Sequence, residues 1–193
     1  NLLFFIILLV MSTTTAQNYD YGTNIPLEDY NFVLGTNSFP TKYQFSKDSK
    51  LIEQAKQTRA LGSNIFKTSI TERFLKDYGY KPNDAKNIMD VMKLIPDYDK
   101  VFEMDFKYYF FWLHTATGIK WKTGISKEQE KILYDEMFDF TSYILKKYNN
   151  TGKTFLIGNW EGDWLLHDNT DRNMTPTQET VDNMTKWLQI RQR

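Results

Sequence analysis

Glu161 is the residue whose setting most invites chemistry. It follows the run Thr154-Phe155-Leu156-Ile157-Gly158-Asn159 and sits in the segment Trp160-Glu161-Gly162-Asp163-Trp164. A carboxyl group delivered by the end of a buried strand is held rigidly, and indole neighbours that exclude water raise its pKa. That suits a general acid near neutral pH. Trp160 and Trp164 can desolvate Glu161 or stack on a flat apolar ligand face. Asn159, two residues earlier on an extended chain, shares its face and can bind a substrate hydroxyl, while Asp163 continues the alternation as a second acid or an orienting group. The plainer alternative for both acids is a solvated loop or a structural ion pair.

Other candidates lie at the ends of the other extended runs. Asn37 ends the first and is a possible ligand contact. Lys67 lies within the second, with a structural ion pair as the alternative to ligand binding. His114 follows the third, where a hydrogen-bonded structural role competes with a place in the site. Trp121 lies in the same exit loop, as a sugar platform or as loop packing, and His167 reads as a solvated loop residue. Glu161, Asp163, His167 and Asp168 are spaced two, four and one apart, which matches no familiar ligand pattern. A metal-dependent hydrolase is therefore a minor alternative, no metal or other cofactor is expected, and no Gly-x-Ser-x-Gly nucleophile elbow occurs.

The elements that must position these residues repeat one theme, an apolar extended run followed by an amphipathic helix. Strands are expected over 31–37, 64–70, 107–113 and 154–159. Ser49 can cap a helix whose stripe is Leu51, Ile52, Ala55 and Leu61, and Gly62 is placed to end it. A short helix over 71–80 precedes one that opens at Pro82-Asn83, buries Ile88, Val91, Met92 and Ile95 and stops at Pro96; Tyr98 to Phe102 adds a further turn. Ser126 and Gln129 form a capping-box pair for a helix with the stripe Leu133, Met137, Phe140 and Ile144. Thr175 as cap, Pro176 at the first helical position and Gln178 start a last helix that buries Val181, Met184 and Leu188.

Four successive strand–helix units imply an α/β fold with parallel pairing and right-handed crossovers. No glycine-rich phosphate turn follows the first strand, which argues against dinucleotide binding. The later strand-to-helix loops are long and rich in aromatic and polar residues, as the catalytic face of a barrel requires. The expectation is the first four to five units of a (β/α)8 TIM barrel, incomplete at its C-terminal side, since a barrel spans ~250 residues.

These motifs resemble the clan of retaining glycoside hydrolases built on (β/α)8 barrels. In that clan the fourth strand ends in Asn followed by the acid/base Glu, and the second often reads Leu-Gly-x-Asn, then apolar residues and Arg. Here Leu61-Gly62-Ser63-Asn64-Ile65-Phe66-Lys67 has Lys in place of the Arg, and His114 suits the clan's third strand. Asn159-Trp160-Glu161 carries an extra Trp, so Asn159 and Glu161 need a bulge to occupy the usual positions. The resemblance spans Phe32 to Trp164 and implies acid/base catalysis by Glu161 on an oligo- or polysaccharide. It also implies a nucleophilic Glu on a seventh strand beyond Arg193, about 5 Å from the acid. The main alternative is a carbohydrate-binding barrel without catalysis.

Leu2 to Met11 is an uninterrupted apolar run, followed by Ser12-Thr13-Thr14-Thr15-Ala16. This reads as the hydrophobic and cleavage regions of a signal peptide over 1–16, hence secretion or another extracytoplasmic location. It is too short for the ~20 residues of a spanning helix, so no stable membrane insertion is expected after cleavage. A lead-in over 17–30 and the barrel domain over 31–193 follow. Three sequons, at Asn149, Asn173 and Asn183, would matter in a eukaryotic secretory route. Lysine plus arginine, 24, equals aspartate plus glutamate, 24, so the field that would hold a polyanion is absent and nucleic acid is not an expected partner. Aromatic residues make up 16% of the chain, a surplus that suits a carbohydrate partner. The sequence leaves the oligomeric state open.

Overall fold

A computed structural model describes residues 36–37, 44–159, 162–167, 171 and 173–193. Its strands are β1 (Thr36–Asn37), β2 (Ile65–Ile70), β3 (Tyr108–Leu113) and β4 (Thr154–Gly158), all parallel and in the order β1-β2-β3-β4. The α-helices are α1 (Lys50–Ala60), α2 (Ile88–Leu94), α3 (Asp97–Glu103), α4 (Lys127–Lys147), α5 (Gly162–His167) and α6 (Gln178–Gln192). Short 3-10 helices cover Glu72–Tyr78, Pro82–Asp84 and Trp121–Thr123.

The barrel expectation is overturned. The described residues form a small, mostly helical α/β domain on an open parallel sheet, with three strands of five or six residues and a two-residue pairing at the edge. They do not form four to five barrel units. Between β2 and β3 the chain makes two 3-10 helices and two α-helices, where a barrel unit needs one crossover helix. Local periodicity specifies strands and helices, but closure depends on stagger and tilt that no periodicity encodes.

Period-two alternation decides what packs where. Phe66, Thr68 and Ile70 of β2 and Tyr109, Phe111 and Leu113 of β3 are buried on one face. Leu51, Ile52 and Ala55 of α1, Val91 of α2, Val101 and Phe102 of α3, and Met137, Phe140 and Ile144 of α4 join them in one core. The ring of Phe102 meets those of Tyr98, Tyr109, Phe111, Tyr148 and Phe155, with centroids 4.9 to 6.2 Å apart. On the other face Phe110 and Leu156, paired in register, are 36% and 39% exposed. Helices therefore cover one face of the sheet among the described residues.

Local signals set most helix ends. Ser49 caps α1 by accepting from Ile52 N, and Gly62 takes φ 88°, a conformation that favours glycine. Ser126 and Gln129 form the expected reciprocal box at α4. Two starts fall elsewhere. Pro82 opens only a three-residue 3-10 turn, and α2 begins at Ile88 because the Asn87 side chain accepts from Asp90 N. At α6, Thr177 rather than Thr175 is the cap, since its hydroxyl reaches Thr180 N.

Candidate functional site

Loops and helices meet at the carboxyl ends of β3 and β4, the place where open parallel sheets usually bind ligands. A second apolar cluster lies here, built from Trp121, Ile125, Leu133, Met184, Trp187 and Ile190, with Leu165 and Leu166 of α5 against it. The rings of Trp121 and Trp187 stack at 5.8 Å with an interplanar angle of 20°. Beside them opens a cavity of about 440 Å³, whose walls include His114, Lys120, Trp121, Lys122, Leu165 and Trp187.

Behind this cavity lies a buried polar layer. Glu136 of α4 is 4% exposed, and its Oε1 accepts from Ile88 N and Ala116 N, both at 3.0 Å. One carboxylate oxygen thus ties the start of α2 to the loop leaving β3. Burial pushes this carboxyl above its ordinary value, opposed by hydrogen bonding from Thr115, Ala116 and Ile88 and by the charge of Arg191. Arg191 of α6 is 9% exposed and donates from Nη2 to Leu113 O at 2.7 Å, with its guanidinium 4.9 Å over the Trp187 ring. Burial lowers its pKa to about 10, against the opposing field of Glu136. His114, half-buried, has its pKa lowered by burial and by the charges of Arg73 and Arg191.

Among the described residues four buried side-chain atoms have no hydrogen-bond partner: Glu136 Oε2, Asn159 Oδ1, His167 Nδ1 and Arg191 Nη1. All belong to this carboxyl-end region. Buried polar atoms are ordinarily satisfied, so this concentration sets the carboxyl-end region apart from the rest of the described chain.

The structure brings together some of the residues singled out from sequence and separates others. His114 and Trp121 line the cavity. Trp112 pairs with Gly158, so Asn159, one residue past β4, lies level with Leu113 at the cavity's edge. Lys67 stands apart on the uncovered face, its Nζ 4.2 Å from the Trp112 ring centroid, with Asn37 its register partner on β1. Asp163 and Trp164 belong to the backbone of α5, so the extended alternation that aligned Asp163 with Asn159 ends at Gly158. His167 closes α5 rather than lying in a loop. Trp160 and Glu161 fall outside the described residues, as do the signal and lead-in segments. Among the described residues no three His, Asp or Glu are grouped to hold a metal, and no helix is long and apolar enough to cross a membrane.

Sequence reasoning missed Glu136, Lys120, Trp187 and Arg191. Trp187 and Arg191 were legible in principle, since with Met184 they fall at helical spacing on one face of α6. Glu136 was not, because an acid beside the apolar stripe of a long helix usually faces water. Compared with known proteins, the chain matches no family, no curated protein and no solved structure.

Proposed function

We propose that this chain is a secreted, carbohydrate-directed protein, a glycoside hydrolase-like molecule in which Glu161 is the general acid/base. The observation that carries the reading is Asn159. Its Oδ1 is buried and unpartnered among the described residues, at the end of the strand that leads into Trp160-Glu161. A carbonyl acceptor held dry at a strand end is suited to a ligand hydroxyl, which donates one hydrogen bond and relieves the cost of that burial. The adjacent cavity offers apolar ring edges and several polar groups, the combination that sugars require. Glu161, two residues further on, would protonate the leaving glycosidic oxygen, and Asp163 is the second carboxylate within reach along the chain. Secretion rests on the apolar run from Leu2 to Met11. None of this depends on barrel closure.

The test compares the parent chain with Glu161→Gln, assaying aryl-glycoside hydrolysis and oligosaccharide binding. Turnover in the parent, lost in the variant with binding retained, supports the enzyme. Binding without turnover in the parent assigns a non-catalytic carbohydrate binder. Neither activity in the parent overturns the proposal.

A further inference from the structure

The fold treats the sequons at Asn149 and Asn183 in opposite ways. Asn149 lies in the turn between α4 and β4, at the amino end of the sheet and away from the carboxyl-end cavity. Asn149, Asn150 and Thr151 are all exposed, and no hydrogen bond holds the Asn149 amide among the described residues. Asn150 and Gly152 take φ 60° and 72°, so the chain reverses tightly and Asn149 stands on the outside of the reversal. The Thr151 hydroxyl donates to Tyr148 O at 2.7 Å, which fixes the turn without enlisting the Asn149 side chain. Asn183 lies within α6, is half-buried, and donates from Nδ2 to Lys122 O at 3.0 Å. Met184, the next residue, is buried in the cluster of Trp121 and Trp187. Asn173 is exposed like Asn149, but it adjoins Arg172, which lies outside the described residues.

We propose that Asn149 carries an N-linked glycan and that Asn183 carries none in the folded chain. This inference rests on the secretion part of the reading above, because the sugar donor, an oligosaccharide on a lipid pyrophosphate, is met in a eukaryotic secretory route. In the transfer Asn149 Nδ2 bonds to the anomeric carbon of the first sugar. The bond from that carbon to the pyrophosphate oxygen breaks, lipid pyrophosphate leaves with the electron pair, and the amide gives up one proton to a base of the transferase. The transferase meets the chain as it is made, so the fold decides which glycans a finished molecule can keep. At Asn149 a bulky hydrophilic polymer disturbs no contact. It also borders a hollow lined by Leu145, Tyr148, Phe155 and Ile157, and β4 ends the strand order among the described residues. Bulk there hinders pairing of that strand with another chain. At Asn183 the same polymer would cost the bond to Lys122 O and the packing of Met184, beside the cavity that Lys122 lines.

The experiment expresses the full chain in a eukaryotic cell in two forms, one with its own N-terminal segment and one with residues 1–16 replaced by an established secretory leader. Protein from the medium is checked for cooperative urea unfolding. It is then treated with the amidase that releases N-glycans and turns each carrying asparagine into aspartate, and its peptides are mapped by mass. Conversion at Asn149 and none at Asn183 is the expected result, and Asn149→Gln should abolish that glycan without moving the urea midpoint. A bare Asn149 in the leader-bearing chain, or a glycan on Asn183 of folded protein, overturns the inference. If the leader-bearing chain carries a glycan on Asn149 while the parent stays bare inside the cell, the secretion reading falls and Asn149 stands as the acceptor of this fold. Should the leader-bearing chain be retained, the same mapping on protein from the secretory compartment decides Asn149: a bare residue there overturns the inference and a converted one supports it.

Discussion

The two ends of the sheet treat buried polar atoms in opposite ways. At the amino end Tyr109 directs its hydroxyl at the carbonyls of Val101, Phe102 and Met104, at 2.9 to 3.2 Å, and Lys153 Nζ reaches Phe102 O at 2.8 Å and also Met104 O. Nearby, Asp99 accepts from the hydroxyls of Tyr143 and Tyr148 and pairs with Lys147 at 2.8 Å. Burial alone would raise the Asp99 carboxyl, yet these donors hold it below its usual range. At the carboxyl end the reverse holds, for the four unpartnered buried atoms found among the described residues gather there. The first arrangement secures the last turn of α3 against the sheet. The second leaves hydrogen-bonding capacity unused beside a cavity.

The comparison breaks most visibly in the aromatic core. Phe102→Ala removes a fully buried ring from contact with five others, and an expected loss of about 3–5 kcal/mol in urea unfolding follows from the cavity left behind. A loss below about 1 kcal/mol would mean that the amino end is loosely packed and the contrast between the ends is false. Tyr109→Phe keeps the ring and deletes only the hydroxyl. Since Lys153 still serves two of the three carbonyls, the expected cost is about 1–2 kcal/mol. Pairing it with a Lys153 variant in a double-mutant cycle should expose coupling, because both donors share Phe102 O and Met104 O.

Much of the amino end was legible in the sequence. The strands over 64–70, 107–113 and 154–159 appear as β2, β3 and β4 within a residue or so at each end, and the helix over 126 onward carries its expected cap. These signals are local: an alternation, a stripe, a hydroxyl at the right offset. The site was less legible because its parts are far apart in the chain. Glu136 meets Ile88 across 48 residues, and Arg191 meets Leu113 across 78. The region after β4 was misread for a related reason. The sequence suggests an extended alternation from Asn159 through Asp163, yet a short helix begins at Gly162 and carries Asp163 off it. The barrel failed at the largest scale, where the number of helices between two strands and the closing of a sheet leave no signature in any short window.

The carboxyl end can also be probed through pH. The Glu136 carboxyl is raised in the folded chain above an ordinary value of 4.5. Between those two values the native state holds a proton that the unfolded chain has lost, so this group's contribution to stability falls as pH rises through that interval. His114 works oppositely: its pKa is lowered from 6.5 by burial and by Arg73 and Arg191, so its contribution falls as pH drops below 6.5. Glu136→Gln keeps an oxygen to accept from Ile88 N and Ala116 N and removes the titration. The stability of this variant, followed by urea midpoint from pH 4 to pH 7, should lack the decline that the parent shows above about 4.5. An unchanged profile would show that Glu136 titrates normally and that its burial is less complete than its contacts imply.

The smallest effect is expected at Arg191, and it sharpens the contrast further. A buried guanidinium has surrendered its hydration, and here it regains one hydrogen bond and a ring contact with no ion pair among the described residues. Arg191→Met retains a long apolar stem to lie on Trp187 and frees the chain from holding an unsatisfied charge. Against this, Leu113 O loses its partner, a cost of about 1–2 kcal/mol. The two terms nearly cancel, so urea unfolding should move by less than about 1 kcal/mol in either direction. That would be no more than the deletion of one hydroxyl from Tyr109, although a whole charge is removed. If Arg191→Met instead cost 3 kcal/mol or more, as breaking a well-paired buried charge does, the guanidinium would be as fully satisfied as any group at the amino end. Near-neutral stability would separate the two ends most cleanly, the one holding its buried polar atoms satisfied and the other leaving some of its own unused.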